Sequence, residues 1–557
     1  MVTKTPQFDA IVVGSGAAGS FAAKELTEAG LRVALLEAGP PITPEFFVNK
    51  GERPSRSGFF LRARMKASAL GQYVQARVIF FSEQLRHLYV NDWQNPYTTP
   101  RDKPFLWVRG KQIGGRLHTF GRVLMRWSDY DFKGASKGSG GKDWPFDYSE
   151  LSPFYERAER FLGVHGTSER VPTLPDGSYA KPSKLVPAEM TFKKRLEGLW
   201  PRRRVVPWRY VPPHPERVPQ AILAAQRTGL LTIHANAVVK RIEVDPATGR
   251  ATGVVYADRE SKLEHRIDAR AVVVCASPVE SVRLLLNSTS PNHPRGLGNS
   301  NGQLGLFFMD QCPALLMGRY APAQGWEEDD STPPDSFYRA PGGFYIPRFT
   351  NLDSQDKEDF KGGYTYQGAV GRMPVASEEA SFFVMMGFGE MLPHRDNTIT
   401  INGERKDAWG VPVPHITCSM HENEQKLLKS LVSSAMEMVE QTGGTVDMVI
   451  SPLGLIEKNR GAFPEASRLG RWMFRRRAKH SMCLGAAIHE SGGACMGEDR
   501  DNSVLNPFNQ CWDAPNVLVT DASSFPTGGA LGTTLTSMAV TIRACQHLVQ
   551  EMRAERI

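Results

Sequence analysis

Long uncharged apolar runs are absent from this 557-residue sequence. No stretch of about 18 such residues occurs, so we expect no membrane-spanning helix. The N-terminus also lacks the charged region, apolar stretch and cleavage site of a secretory signal. These absences predict a cytoplasmic protein. The length and the mixed composition predict a globular chain with more than one domain.

Cysteine is scarce and widely spaced. The seven cysteines form no C-x-x-C pair, and their odd number argues against a disulfide scaffold, a zinc ribbon or an attached c-type haem. We expect free thiols in a reducing compartment. His415 and His421 lack matching ligands at a sensible spacing, so we expect no metal site. The sequence also contains no Walker A loop and no Ser–His–Asp arrangement.

The excess of positive charge is small. A net charge of +8 comes partly from two short basic clusters, residues 201–206 and 474–480. Such clusters can attract an acidic partner or a membrane surface. Neither is interleaved with aromatic residues, and no nucleic-acid motif accompanies them. We therefore interpret both as solvated faces and expect no nucleic-acid partner.

The N-terminal segment carries the clearest motif. Residues 10–13 predict a short buried strand, which is followed by Gly14, Gly16 and Gly19 in G-x-G-x-x-G spacing. The first glycine permits a tight turn, the second lets the backbone approach a pyrophosphate, and the third lets a helix pack on the strand. The free N–H groups at the start of that helix would face the phosphates.

A helix and a second strand complete this unit. The pattern predicts a helix over about 17–29 that ends at Gly30, and then a strand over 32–36. Glu37 follows, where a carboxylate accepts hydrogen bonds from a ribose. With all these parts present, we expect a dinucleotide to bind here. No second strand-linked motif offers an obvious pyridine-nucleotide site, so the reducing equivalents would come from the substrate itself.

The rest of the pattern predicts a discontinuous α/β fold. Alternating segments such as SFFVMMGFGEML and NTITING indicate an antiparallel sheet, and residues 422–444 indicate an amphipathic helix. The aromatic and arginine-rich segment 45–100 is interpreted as an arm that covers the site or makes a subunit contact, so a homo-oligomer is plausible. We expect a Rossmann-like cofactor domain over residues 1–150, 225–310 and 480–557, and an inserted antiparallel-sheet substrate domain over residues 151–224 and 311–479.

Several further segments resemble the glucose–methanol–choline (GMC) flavoprotein oxidoreductases. They are VVVCASPVESVRLLL, GLGNSNGQLGLFFMD, IHESGGACMGEDRDNSVLN and NVLVTDASSFPTGG. Together with the N-terminal motif they extend the resemblance from Phe8 to Arg543. Within the family, GGRLHTFGRVLMRWSDYDFK and EMLPHRDNTITINGERKDAWGVPVPHITCSMHENE look nearest to pyranose oxidases and bacterial glucoside 3-dehydrogenases or oxidases.

The resemblance implies FAD as the cofactor. His118 lies in GGRLH, which is similar to the segment that carries a covalent flavin link in pyranose oxidases. The spacing here is one residue shorter, so we expect non-covalent FAD with His118 lining the ring pocket. The residues that the resemblance places around FAD are Gly14, Ser15, Gly16, Ala18, Gly19, Glu37, Ala38, Arg109, Gly114, Gly115, His118, Val238, Ala276, Asp521, Thr533 and Thr534.

The resemblance also implies a catalytic base. The family's histidine in H-x-x-G takes the alcohol proton, which makes His489 the base here, and a structural histidine in a glycine-rich loop is the alternative. The family pairs this histidine with an Asn or a second His, but that position is Gly532. Either Thr533 supplies a hydroxyl, or His394 or His415 substitutes, or catalysis is impaired.

These features together imply FAD-dependent oxidation of a secondary hydroxyl of a sugar or glycoside to a keto-sugar. The partners would be that small-molecule substrate and an electron acceptor, namely oxygen, a quinone or a protein. Two alternatives remain open. One is a GMC dehydrogenase for a non-sugar alcohol. The other is a flavin-binding subunit with no chemistry of its own, which the glycine at position 532 favours.

Overall fold

The computed structural model describes residues 7–47, 59–79, 81, 84–138, 140–327, 335, 337–338, 342–353, 356–459 and 468–557. The helices, in chain order, are α1 (Ala17–Glu28), α2 (Phe59–Ala69), α3 (Asp129–Phe132), α4 (Tyr148–Leu162), α5 (Pro187–Leu199), α6 (Gln220–Arg227), α7 (Pro278–Asn287), α8 (Glu422–Gln441), α9 (Arg468–Ser481) and α10 (Thr534–Arg553). The strands are β1 (Phe8–Val13), β2 (Val33–Leu36), β3 (Val206–Pro207), β4 (Leu231–His234), β5 (Ala237–Val244), β6 (Ala251–Asp258), β7 (Glu264–Val274), β8 (Cys312–Gln324), β9 (Phe344–Ile346), β10 (Tyr364–Val370), β11 (Ala380–Gly389), β12 (Thr398–Lys406), β13 (Pro412–Thr417), β14 (Gly444–Ser451), β15 (Gly454–Glu457), β16 (Gln510–Cys511) and β17 (Ala514–Val519).

The first sheet is mainly parallel and is built from distant parts of the chain. Its order is β16–β17–β7–β1–β2–β4, where β16 is antiparallel to β17 and the other neighbours are parallel. The hairpin β5–β6 joins β7 in antiparallel fashion. Ile11 in β1 pairs with Ala34 on one side and Val272 on the other, and all three are fully buried. Such continuous apolar strands are typical of a parallel sheet covered on both faces.

The N-terminal strand, helix and strand follow the sequence prediction closely. The observed bounds of β1, α1 and β2 lie within two residues of those predicted. The helix ends where expected, because Gly30 has φ +92°, a left-handed conformation that glycine adopts without steric cost. Helix α1 then packs against α6 and α10.

The second sheet is antiparallel and has the order β15–β14–β8–β11–β10–β9–β3. Helix α8 packs on β8, β11 and β14, and its amphipathic pattern is confirmed by buried residues such as Leu427, Leu431 and Met438. The helix ends at Gln441, before the glycine pair that leads into β14. The predicted fold class, a parallel cofactor sheet with a separate antiparallel sheet, is therefore confirmed.

One predicted strand of that sheet lies elsewhere. NTITING forms β12, which pairs only with β13 among the described strands, in a separate hairpin. The hairpin packs on α7 of the cofactor sheet, and Thr398 forms a bridge with Leu306. These contacts bury the apolar side of the hairpin against the cofactor sheet and its helix. Alternation of residues along a strand indicates that one side is buried, but it does not indicate what covers that side. The division of the chain into the two stated domains stays a proposal.

The segment 45–100 packs on the body of the protein where it is described, and residues 48–58, 80, 82 and 83 lie outside the description. Val74 and Val78 join an apolar cluster with Ala478 and Met482 at the end of α9. Leu85 and Tyr89 line the large cavity discussed below. The segment thus covers part of the site, and a subunit contact stays a prediction.

The remaining expectations concern thiols, charge and membranes. All seven cysteines are buried and unbridged. In the first basic cluster Arg203 and Arg204 form ion pairs with Glu437 and Glu197, and the arginines of the second are exposed on α9. Among the described helices, none combines the length and the apolarity that crossing a bilayer requires.

Candidate active site

A cavity of about 550 Å³ lies where the two sheets face each other. One wall includes Val13, Leu36 and Cys275, at the carboxyl ends of the neighbouring parallel strands β1, β2 and β7. The opposite wall includes Gln367 of β10 and Phe388 of β11. The carboxyl edge of a parallel sheet is where such folds bind nucleotides.

The glycine-rich turn forms one end of this cavity. Gly14 has φ +94°, and a Cβ on it would lie 2.5 Å from the carbonyl oxygen of Cys275. A Cβ on Gly16 would instead meet no atom within 4 Å. Helix α1 begins directly after Gly16 without a side-chain cap or an acidic first turn. Its first N–H groups therefore remain available to an anionic group in the cavity.

Glu37 lies beside this turn and is held by Ser15. Glu37 Oε2 accepts hydrogen bonds from the amide and the hydroxyl of Ser15 at 3.1 and 2.5 Å, and Oε1 accepts from the amide of Gly39 at 3.1 Å. Ser15 Oγ in turn accepts from the amide of Gly114 at 3.0 Å. Burial raises the pKa of Glu37. These bonds fix the carboxylate at the edge of the cavity, next to β5.

Asp521 caps the short helical turn Ala522–Ser524 that follows β17. Its carboxylate accepts hydrogen bonds from the amides of Ser277 and Ser523 at 3.0 and 2.9 Å and from the hydroxyl of Ser281. Burial raises the pKa of Asp521. Asp521 therefore links the β7–α7 turn and α7 to the turn Ala522–Ser524. Thr533 and Thr534, at the start of α10, line the same cavity.

Most residues of the predicted cofactor set line this cavity, and three do not. The lining residues are Gly14, Ser15, Gly16, Ala18, Glu37, Ala38, Arg109, Gly115, Val238, Ala276, Asp521, Thr533 and Thr534. Gly19 and Gly114 stand behind the wall. A Cβ on Gly19 would lie 1.8 Å from the carbonyl oxygen of Gly14, and Gly114 contributes its amide to Ser15.

His118 is the third, and the expectation that it lines the ring pocket is not met. Its Nε2 lies 2.8 Å from the carbonyl oxygen of Ile113, and its ring packs 5.3 Å from that of Phe47. Burial lowers the pKa of His118. The side chain therefore holds the short helical turn Gly115–His118 from behind.

His489 lines the cavity, and its ring is held by Gln311. His489 Nδ1 lies 2.6 Å from Oε1 of Gln311. The amide nitrogen of Gln311 faces the backbone carbonyl oxygens of Gly528, Gly529 and Leu531 at 2.8 to 3.3 Å. Because N–H groups must face those acceptors, the amide oxygen faces the histidine and accepts from Nδ1–H. Nε2 is therefore left with a lone pair.

Burial, together with one nearby guanidinium, keeps the ring of His489 neutral. Burial and the nearby Arg116 guanidinium lower the pKa of His489 to about 4. Arg116 forms an ion pair with Glu490 at 2.5 Å. Behind the loop, Asp310 accepts from the amides of His489 and Gly485 at 3.1 and 2.6 Å. Burial and the charge of Glu490 raise the pKa of Asp310 to about 7.

Gly532 lies directly against the imidazole. A Cβ on Gly532 would lie 3.5 Å from His489 Nε2, so the space beside the lone pair is open. Neither proposed histidine substitute lines the cavity. His415 Nδ1 is 2.8 Å from Thr98 Oγ1, and His394 Nε2 is 3.0 Å from Glu424.

Gln311 and Asp310 are the site residues that sequence reasoning missed. They lie in the sequence MDQC at the start of β8, about 180 positions before His489. Their sequence signals were two polar residues directly before an apolar strand and, for Asp310, a place at the end of GLGNSNGQLGLFFMD. Both are fully buried, so each must find hydrogen-bond partners inside the protein.

Comparisons with known proteins agree with this geometry. Residues 218–305 and 393–541 match models of GMC oxidoreductases, and residues 9–47 match a model of an FAD binding domain. The 2-methyl-1,2-propanediol dehydrogenase of Mycolicibacterium austroafricanum is 27% identical over 98% of this chain and 96% of its own length. The fructose dehydrogenase large subunit of Gluconobacter japonicus is 24% identical over 99% of this chain and 100% of its own.

A third relative and a solved structure extend the similarity. The C-glycoside 3-oxidase of Arthrobacter globiformis is 22% identical over 98% of this chain and 95% of its own length. The crystal structure of pyridoxine 4-oxidase from Mesorbium loti aligns with a TM-score of 0.58 at 16% identity, covering 97% of this chain and 98% of the other, which shows a shared fold. The chain belongs to the GMC oxidoreductase family and is an FAD-dependent oxidoreductase that acts on CH–OH donors.

Proposed function

We propose that the chain oxidises a secondary hydroxyl of a sugar or glycoside to a keto-sugar, with His489 as the base. One observation carries the proposal: a neutral imidazole with its Nε2 lone pair beside an open space in the cavity. The chemistry that FAD supplies when bound is acceptance of the hydride from the alcohol carbon. His489 Nε2 takes the hydroxyl proton, so the carbonyl forms without a free alkoxide.

We propose that the residues of the turn before α1 hold the FAD pyrophosphate. The open space at Gly16 and the uncapped amides of α1 suit a phosphate group. Glu37 would accept hydrogen bonds from the ribose, and Thr533 and Thr534 would present the N-terminus of α10 to the flavin ring. Non-covalent FAD is the form that this arrangement favours, because His118 is turned away from the cavity.

Replacing Gly16 with alanine is expected to weaken FAD binding without unfolding the protein. The added methyl meets no protein atom but occupies the approach of the pyrophosphate, so affinity should fall by about 10- to 100-fold. Titration of FAD into the apoprotein, with thermal melts, measures both effects. Gly198→Ala in α5, which also meets no atom within 4 Å, should keep normal affinity. Equal affinity in both variants would contradict this phosphate site.

Polar groups on the substrate side support a polyhydroxylated substrate. Arg122 lines the cavity and is mostly buried, and its Nε has no hydrogen-bond partner among the described residues. Its guanidinium lies 4.1 Å from the ring centroid of Tyr338. Gln367 also lines the cavity. Such groups orient hydroxyls in an otherwise apolar pocket. The names of relatives such as fructose dehydrogenase and C-glycoside 3-oxidase agree with a sugar.

A non-sugar alcohol is the second candidate. Met125, Met386 and Phe388 give the cavity an apolar lining, which suits a small aliphatic diol. The similarity to a 2-methyl-1,2-propanediol dehydrogenase favours this candidate. Oxygen, a quinone or a protein would each serve to remove electrons from the reduced enzyme.

Anaerobic mixing with a substrate panel separates these candidates. The panel holds methyl glycosides, free sugars, 2-methyl-1,2-propanediol and simple aliphatic alcohols, and the visible absorbance of the oxidised flavin is followed. We expect bleaching by glycosides or sugars and at most slow bleaching by the aliphatic alcohols. Bleaching by the diol alone would replace the sugar proposal with the second candidate.

The rate should depend on pH through His489. Only the neutral ring accepts a proton, and its pKa is lowered to about 4, so kcat should stay level above that pH and fall below it. Asp310, with its pKa raised to about 7, is the other group that titrates beside the loop. A pH profile of Asp310→Asn should therefore lose any limb near pH 7 and keep the limb near pH 4. A single limb at pH 6.5 in both proteins would contradict the lowered pKa.

A further inference from the structure

Three side chains with metal-ligating atoms converge at the start of α8, away from the cavity. His421 and Glu424 belong to the first turn of this helix, and His394 comes from the loop between β11 and β12. One nitrogen of each histidine and one oxygen of Glu424 all lie within 4.8 Å of one another. None of the three residues lines the active-site cavity.

Glu424 is the fixed centre of this cluster. It is fully buried, and its Oε2 accepts from the amide of His421 at 2.9 Å. Its Oε1 accepts from the amide of Leu392 at 3.2 Å. The carboxylate is therefore held by both the helix and the β11–β12 loop, and no Lys or Arg among the described residues forms an ion pair with it. A buried anion of this kind needs a cation beside it.

The orientation of His421 leaves one ring nitrogen without a partner. His421 Nε2 lies 3.1 Å from Oδ2 of Asp396, so Nε2 carries the proton and donates it to that carboxylate. Nδ1 is then a bare lone pair. It is buried, has no hydrogen-bond partner among the described residues, and lies 4.0 Å from Glu424 Oε2. Two acceptors that face each other across such a distance leave room for a positive ion between them.

His394 supplies the third ligand atom. Its Nε2 is 3.0 Å from Glu424 Oε2, and its ring centroid is 3.7 Å from that of His421. Both imidazoles are half-buried, so the cluster is open to solvent on one side. In a tetrahedral zinc site each ligand atom lies about 2.0–2.1 Å from the ion, so the ligand atoms lie about 3.3 Å from one another. Small side-chain rotations would bring the three ligand atoms from their observed separations to this value.

We propose that His394 Nε2, His421 Nδ1 and Glu424 Oε2 bind a Zn²⁺ ion, with water as the fourth ligand. The Asp396–His421 bond is the carboxylate–histidine arrangement that commonly supports a zinc ligand. Imidazole and carboxylate donors in a three-residue site suit zinc among the common divalent ions. The ion would tie the β11–β12 loop to α8 and would act on stability rather than on the chemistry.

The sequence prediction of no metal site rested on the spacing of His415 and His421. His394 and Asp396 lie 27 and 25 positions before His421 on a different loop. The hairpin β12–β13 between them turns the chain back and brings the two segments together. A spacing rule that looks for neighbouring ligands along the chain does not detect such a cluster.

Zinc titration of the chelator-treated holoenzyme tests the site. We expect calorimetry to give one ion per chain and melting curves to show a Tm that rises with Zn²⁺ concentration. His394→Gln and His421→Gln should each lose this binding and this rise while keeping the flavin spectrum. His265→Gln, a surface histidine stacked on Tyr256, is the matched control and should bind zinc normally.

Two results would overturn the proposal. The first is zinc binding of equal strength in all three variants, which places the ion elsewhere. The second is the absence of zinc binding to the intact holoenzyme at pH 8, which indicates that a histidine proton, on His394 Nε2 at 3.0 Å or on His421 Nδ1, balances Glu424 instead. Gln keeps a polar side chain of similar size, so we expect each variant to fold. Loss of flavin from a variant would be detected separately in its absorption spectrum.

Discussion

His489→Ala is expected to lower kcat by about 10²- to 10⁴-fold while FAD stays bound. The change removes the group whose Nε2 lies beside the open space at Gly532, and no other histidine of the described residues lines the cavity. Stopped-flow measurement of anaerobic flavin reduction, with the substrate that the panel identifies, gives the rate directly. The flavin spectrum of the variant shows that the cofactor is retained.

Two controls separate a base from a structural histidine. His265→Ala changes an exposed histidine and should leave the rate unchanged. Imidazole added to His489→Ala should restore part of the rate, because the truncated side chain leaves space at the cavity wall next to Phe388, whose ring lies 5.0 Å away. Full activity in His489→Ala would contradict the assignment of His489 as the base. Loss of flavin would indicate a structural role in place of a chemical one.

The cofactor end of the site was predictable because its signals are local. Gly14, Gly16 and Glu37 lie within one strand–helix–strand unit, where each residue type answers a steric or hydrogen-bonding need of its neighbours. The buried parallel strands gave continuous apolar runs, and Gly30 marked the end of α1. Local chemistry of this kind determines local structure, so the observed bounds fall close to those expected.

The catalytic end was less predictable because it is assembled from distant segments. The resemblance identified His489 and placed Gly532 near it. The distance of 3.5 Å between a Cβ built on Gly532 and His489 Nε2 agrees with that alignment. No pattern linked Gln311 to His489, since their contact depends on how β8 meets the loop after α9. His118 shows the opposite case. Its motif suggested a place at the ring, but its hydrogen bond to Ile113 turns it behind the wall.

Gly532 changes what the enzyme requires of its other groups. A family member with a second polar side chain there can orient the alcohol with two groups, whereas this chain has an open space at that position, and Thr533 is the next residue that lines the cavity. Orientation must then come from the base itself and from the substrate pocket. A ring that rotates freely would lose this geometry, so the restraint on His489 from Gln311 carries more of the catalytic effect here.

Replacing Gln311 with methionine is accordingly expected to lower kcat by about 10- to 100-fold with little change in KM. Gln311 does not line the cavity, so it acts as a positioning residue through His489. Methionine keeps the volume but removes the acceptor of Nδ1–H, and the ring can then place its proton on Nε2. It also leaves the three carbonyl oxygens without their donor, so Tm should fall as well.

Gln311→Glu distinguishes positioning from packing. A carboxylate would still accept from Nδ1–H, so the productive tautomer is retained, and its charge would raise the pKa of His489 from about 4. We expect kcat at high pH to recover relative to Gln311→Met, while the acid limb moves to higher pH. Gln220→Met, at the start of α6 and outside the cavity lining, should change neither quantity. If Gln311→Glu and Gln311→Met lose the same fraction of activity at every pH, the loss comes from the missing donor to the three carbonyl oxygens, and the tautomer of His489 must be set by another group.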